Sequence, residues 1–317
     1  MSFYTEDLWF LPGPPEDMSP TDPPWPTAPR APRIDPVSWH HDHGGLAGPL
    51  ALAAEEMGRL REALRHAPQG IVERLILGQV TELLRAEGIR IGPERLALYR
   101  AGRLASGEDA QDLARANWAV RRLTRAPDPL RDLPAFFDRR GGQGFAASAA
   151  TWRTQFDTNM APVHPLLRAG YGFASWRSLG ETPAIDSLLE PAVLAMGLGG
   201  YPLLPLSQMS RSTLLHLTPT DWLAGIRGSA QSCLMEIERI REWQLRAEDS
   251  LSALSGRTPR RVVETARRHP VVSVALAEAE TGCARASCQR ALAQLEHKGV
   301  LRECTGQARY RFWRAAL

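Results

Sequence analysis

From Leu46 to Leu254 the apolar residues of this chain recur every three or four positions and hardly anywhere every second one. That is the period of one face of an α-helix, so a sheet-built domain is excluded over most of the sequence. Leu50, Ala53, Ala54, Met57, Leu60, Ala63 and Leu64 make the first stripe, which Pro68 and Gly70 stop. A second runs from Ile71 through Leu75, Ile76, Val80, Leu83 and Leu84 to Gly88. Pro93 suits the first turn of a third, short helix. Ala110–Leu123 predicts a fourth, in which Asn117 reads as a hydrogen-bonding staple within the apolar side. Residues 125–150, rich in Pro, Gly and small side chains, predict a long loop with one short helix near Leu133–Phe137. Regular helix is expected again after Thr151. His164–Trp176 is apolar nearly all round and predicts a central, buried helix. Leu188–Leu198 predicts another, closed by Gly199 and Gly200. Ser207 is expected to cap a helix into Arg211 and Leu215. Thr220–Leu254 predicts a long helix with Leu223, Ile226, Leu234, Ile237, Ile240 and Leu245 inward.

The fold class that follows is mainly α, in three segments. These are a Pro-rich N-terminal arm (residues 1–45), an all-helical domain (46–254) and a basic C-terminal module (257–317). Ten prolines between Pro12 and Pro36 bar helix and central strand from much of the arm. Trp9, Phe10, Trp25 and Trp39 are placed to pin it to the helical body. His40, His41, Asp42 and His43 have ligand chemistry, but no helix aligns them and glycines follow at once. A solvated linker is expected there, and no metal site. Cys233, Cys283, Cys288 and Cys304 form no CxxC pair and read as free thiols that pack like small hydrophobes. No apolar run approaches the roughly 18 residues that span a membrane. Met1–Phe10 carries acids and lacks the basic start of a secretory signal. Cytoplasmic residence with no membrane partner is the expectation.

Charge is unevenly spread. Of 38 Lys+Arg and 35 Asp+Glu, residues 257–317 hold 12 and 5, a net of +7. That leaves 26 and 30, a net of −4, for the rest. An anionic partner is thereby directed to the C-terminal module. Its pattern is three short helices and then two strands joined by a Gly turn. Thr258 caps the first helix and Pro259 opens it, with Val262, Val263 and Ala266 inward. Ser273 caps the second, Val274–Glu280, and Thr281-Gly282-Cys283 is the turn after it. The third runs from Arg285 to Lys298 with Cys288, Ala291, Leu292 and Leu295 buried and Gly299 as a left-handed cap. Strands over Val300–Cys304 and Tyr310–Trp313 close the module.

This is the layout of a winged helix-turn-helix, which lays one helix in the DNA major groove. It leaves Arg285, Ser287, Gln289, Arg290 and Gln294 outward on the third helix. Arg pairs both acceptor atoms of guanine, and Gln does the same for adenine. Arg302, Arg309 and Arg311 surround the hairpin, where arginines reach phosphates or the minor groove. The plainer reading of the same residues is a solvated polar face.

The run LEHKGVLRECTGQARYRFW resembles the winged helix at the C-terminus of many Fic-domain proteins, with Glu303, Thr305, Gly306, Arg309 and Arg311 at the matching positions. From about residue 46 to its end the chain is similar to an uncharacterised bacterial family, often plasmid-borne, that joins a helical domain to a C-terminal helix-turn-helix. Glu87-Gly88, Asn117-Trp118-Ala119 and Leu166–Ala169 resemble further parts of the Fic layout. The resemblance implies an all-helical, Fic-like domain followed by a winged helix. It does not bring the Fic active loop, His-Pro-Phe-x-Asp/Glu-Gly-Asn-Gly-Arg. The nearest match, HPLLRAGYG from His164, puts Arg168 at the metal-ligand position and supplies no Asn. His164 therefore reads as a helix-start residue, and no catalytic residue or cofactor is expected.

The function that follows is DNA binding by a transcriptional regulator. Double-stranded DNA would be its partner, and the protein would sit with the nucleoid when bound. The helical body would serve a homodimer or sense a small-molecule effector. Two alternatives stay open: a divergent Fic-like nucleotidyltransferase that moves AMP to protein hydroxyls, and a winged-helix module that binds protein.

Overall fold

The helical period becomes helices almost throughout. The computed structural model describes residues 34–68, 70–102, 107–138, 143–178, 188–306 and 311–317. Trp9, Phe10 and Trp25 lie outside them. After a single 3-10 turn at Val37–Trp39 come α1 (Ala47–His66), α2 (Ile71–Ala86), α3 (Pro93–Arg100), α4 (Ala110–Arg125) and α5 (Leu133–Phe137). Next are α6 (Gln143–Met160), α7 (Pro165–Arg177), α8 (Leu189–Leu198), α9 (Arg211–Leu215) and the long α10 (Pro219–Leu251). The C-terminal part holds α11 (Thr258–Arg268), β1 (Val272–Ser273), α12 (Val274–Thr281), α13 (Arg285–His297), β2 (Leu301–Glu303) and β3 (Phe312–Ala315). The chain is thus mainly helical, with one small antiparallel sheet in the order β1-β3-β2. Residues Ile34–Leu317 form one compact unit. Among the described residues no helix is long and apolar enough to cross a membrane.

The body is centred on α7, whose residues Leu166–Trp176 are all buried except Arg168. Its start is fixed by His164, whose Nδ1 accepts from the Leu166 N–H at 3.2 Å, and by Pro165 in the first turn. Gly170 lets two indoles close on the helix: a β-carbon there would overlap Trp39 and stand 2.8 Å from Trp222. Trp222 in turn donates from Nε1 to the Leu166 carbonyl at 2.7 Å. Two polar side chains, one on α2 and one just past it, organise connections that carry little regular structure. Glu87, just past its end, accepts from the N–H groups of Leu188 (2.7 Å) and Leu189 (3.0 Å), and so caps α8. Gln79 accepts from the N–H groups of Leu206 (2.6 Å) and Ser207 (2.8 Å), which pins the Pro-containing connector after α8. Asn117 accepts from Arg100 at 2.9 Å, half-buried, and so does act as a staple.

Several expectations are corrected. α6 starts at Gln143, not after Thr151, because the Ala-rich run that read as loop is helical. Ser210, not Ser207, caps α9, accepting from the Thr213 N–H at 3.1 Å. Thr258 lies inside α11, and its hydroxyl donates to Cys283 Sγ at 3.6 Å, so it caps nothing. Leu245 is exposed, and Trp243, Ala247 and Leu251 point inward instead. α10 changes partners along its length: its first half packs in the body, its second against α11. The hairpin strands are shorter and shifted, and β1 is an added strand, paired Val272 to Trp313 and Ser273 to Phe312.

Candidate nucleic-acid interface

The C-terminal part is built on one apolar cluster. Val262, Val263 and Ala266 of α11, Ala277 of α12, and Cys288, Ala291, Leu292 and Leu295 of α13 meet Val272, Leu301, Trp313 and Ala315 of the sheet. The turn between α12 and α13 is set by Gly282 in the left-handed region (φ 62°), which a side chain would strain. Thr281 Oγ1 donates to Ala277 O at 2.6 Å and accepts from the Cys283 N–H at 3.2 Å, which fixes the chain as it leaves α12. Ser273 caps α12 by accepting from the Leu276 N–H at 3.1 Å.

The buried face of α13 leaves a continuous exposed one. Arg285, Gln289, Arg290 and Gln294 are all exposed, and Ser287 is half-buried at its edge. Helical geometry puts Ala286, Arg290, Ala293 and His297 in one row along the middle of that face, with Gln289 and Gln294 flanking it. Ala286 and Ala293 escape sequence reasoning because alanine announces no chemistry. Here they keep the centre of the face low. Arg285 is 67% exposed, with its Nη1 3.7 Å from Glu278, a surface pair of little strength. Among the described residues Arg290 makes only a long bond, 3.4 Å, to the Ala286 carbonyl.

The hairpin residues divide. Arg302 on β2 is exposed. Arg309 falls in 307–310, outside the described residues. Arg311, half-buried, is held against the fold: its Nη2 donates to both carboxylate oxygens of Glu296 at 2.9 Å, and its guanidinium lies 5.0 Å from the centre of the Trp313 ring. Trp313 Nε1 donates to the same carboxylate at 2.8 Å. Glu296 is the one acid of α13, so this clamp withdraws the helix's only negative charge toward the hairpin. Glu303 folds the hairpin start on itself. Burial raises its pKa, but hydrogen bonds from Thr305 and from the Gly306 N–H outweigh that and hold the carboxylate below its usual range. On α11, Arg261 donates to Thr281 O at 2.6 Å, Arg267 and Arg268 pair with Glu264, and Arg260 is exposed.

The other sequence candidates are placed as follows. The ring nitrogen of His164 is engaged as a helix cap, and Arg168 lies 5.8 Å from the centre of the Phe156 ring. His40 Nε2 is 3.1 Å from the Asn159 carbonyl. Among the described residues no group of three His, Cys, Asp or Glu is placed to hold a metal ion. All four cysteines are free thiols, Cys233 and Cys288 buried. Compared with protein-family models and with curated proteins, the chain matches none.

Proposed function

We propose that the C-terminal part is a winged helix-turn-helix that reads double-stranded DNA, with α13 in the major groove and the β2–β3 hairpin beside the phosphates. One observation carries this. The exposed face of α13 offers Arg285, Gln289, Arg290 and Gln294 around two alanines, while its only acid is turned aside onto Arg311 and Trp313. Such a face meets a polyanion closely and carries donors that match guanine and adenine edges. The net +7 of residues 257–317 serves the same partner. Arg285, Gln289, Arg290 and Gln294 are the base readers in this scheme, with Ser287 at the edge. Arg302 is the phosphate contact, joined by Arg309. Arg311 acts chiefly as a support. The activity is that of a transcriptional regulator, and the helical body is the part that would pair two copies over half-sites about one helical turn apart.

Fluorescence anisotropy with duplex DNA tests this. Affinity should fall steeply with salt, and Arg285→Glu with Arg290→Glu should lower it at least about tenfold with an unchanged melting curve. Binding without salt dependence, or unaffected by the double reversal, refutes the proposal.

A further inference from the structure

A groove of about 770 Å³ runs between α2 and α10 of the body and the end of the C-terminal part, where Pro270, Arg314 and Leu317 form its far wall. Cavities of roughly 300–1,000 Å³ suit metabolite-sized ligands. The side-chain charges that line it do not cancel. Three of its acids each face an arginine of their own: Glu82 with Arg85 at 3.2 Å, Glu94 with Arg314 at 2.9 Å, and Glu236 with Arg239 at 3.4 Å. A fourth arginine, Arg74, has no ion-pair partner among the described residues. Its Nη2 donates to the carbonyls of Ala266 (2.9 Å) and His269 (3.0 Å), while its Nε, closed off from solvent, meets no acceptor. Burial lowers its pKa, and Glu236 and Glu94 act more weakly in the other direction.

A second lining group is in the same condition. Ser207 Oγ is buried and unpaired, although its backbone N–H is taken by Gln79. Gln79 has no acceptor to spare, since its Oε1 already takes two N–H groups and its Nε2 donates to Cys233 Sγ. The Cys233 thiol, pushed up to about 12 by burial and by Glu236, stays neutral and supplies no anion. Arg74 and Ser207 both line this groove, and a guanidinium N–H and a hydroxyl closed off from solvent are costly to leave without an acceptor.

We propose that this groove binds a small organic anion, a carboxylate or phosphate whose oxygens accept from Arg74 and Ser207. Arg74 also holds the carbonyl end of α11, so occupancy of the groove is linked to the seating of the C-terminal part on the body. On the DNA-binding reading above, on which this last step rests, the anion is an effector of DNA affinity.

Isothermal titration of the full chain with citrate and with adenosine monophosphate separates the carboxylate from the phosphate arm. At least one should bind at one site per chain. Ser207→Ala, which removes a hydroxyl without partners, should weaken that binding several-fold. Arg74→Lys, which keeps the charge but lacks the Nε donor, should weaken it about tenfold or more. Circular dichroism checks that both variants fold. If neither probe binds, or both variants bind as the parent does, the site is refuted. Anion binding that leaves DNA affinity unchanged upholds the site and overturns its role as an effector. DNA affinity that is absent altogether counts against the DNA reading alone.

Discussion

Replacing Glu296 separates support from recognition in the C-terminal part. Its carboxylate accepts three hydrogen bonds, two from Arg311 and one from Trp313 Nε1. The ion pair is a third or more exposed on each side, 37% for Arg311 and 33% for Glu296, so it is worth only about 0–1 kcal/mol after solvent screening. Trp313, by contrast, is 2% exposed, and an indole N–H left there without an acceptor costs about 1–3 kcal/mol. Glu296→Ala is therefore expected to cost about 2–3 kcal/mol, and most of that comes from the tryptophan. Glu296→Gln keeps an acceptor for Trp313 and should cost about 1 kcal/mol or less. Urea denaturation followed by tryptophan fluorescence measures both, with circular dichroism to check that one transition is seen. Both variants also release Arg311 and delete the only acid of α13, so DNA affinity should rise while stability falls. The slope of log affinity against log salt should steepen by about one if Arg311 then gains a phosphate. Equal losses for Gln and Ala would refute the assignment of the cost to the indole. A fall in DNA affinity for the well-folded Gln variant would refute the role given to Arg311.

Three further outcomes follow from the body and the thiols. Gly170→Ala puts a methyl into Trp39 and 2.8 Å from Trp222, in a core with no room to yield, and should cost about 1–3 kcal/mol in the same urea assay; a neutral result contradicts that packing. The His164 ring is held below its ordinary 6.5 by burial, with His41 second, so the unfolded chain takes the proton first. Its share of stability is full above about pH 6.5 and declines as pH falls through 6.5 toward the lower folded value; His164→Asn, which retains a capping oxygen, should flatten the stability profile there, and an unaltered slope refutes it. Hydrogen bonds from Thr258 and then Thr281 favour the Cys283 thiolate, whereas burial pushes Cys233 up to about 12 and Cys304 to about 11. A thiol reagent at pH 8 should therefore mark Cys283 first, as mass spectrometry of the modified chain would show, and early labelling of Cys233 would count against the fold.

Local signals were readable in the sequence and relational ones were not. The i, i+3, i+4, i+7 set of Cys288, Ala291, Leu292 and Leu295 is the buried face of α13, because periodicity alone decides which side of a short amphipathic helix turns inward. The all-round apolar run from Leu166 likewise had no stable place except the centre. Leu245 failed for the complementary reason: α10 passes from one neighbour to another, and a single stripe cannot describe two contacts. β1 is two residues long and exists only through its pairing with β3. The capture of Arg311 joins residues fifteen apart, one on α13 and one just before β3, so an arginine that read as a phosphate contact is tied to a carboxylate of its own fold.

The same relational logic bears on where the C-terminal part begins. A boundary at residue 257 cuts one apolar cluster, since Trp243, Ala247 and Leu251 of α10 pack with α11, α13 and the sheet. Trp243 Nε1 also donates to the Val300 carbonyl at 2.8 Å, at the step from α13 into β2. The second half of α10 thus belongs to the core beneath α13, while its first half is core to the body. Further ties lie beside it: Arg74 to the end of α11, Arg314 to Glu94 at 2.9 Å, and Gly70, where any β-carbon would collide with the Arg268 carbonyl. A helix continuous through two cores passes on a tilt with little loss, because packed interiors shift between arrangements instead of deforming smoothly. The exposed face of α13 therefore takes its orientation from the body. Arg74 stands at one of the points where that orientation is set, beside Val271 and Phe312, which pack into the core of the body.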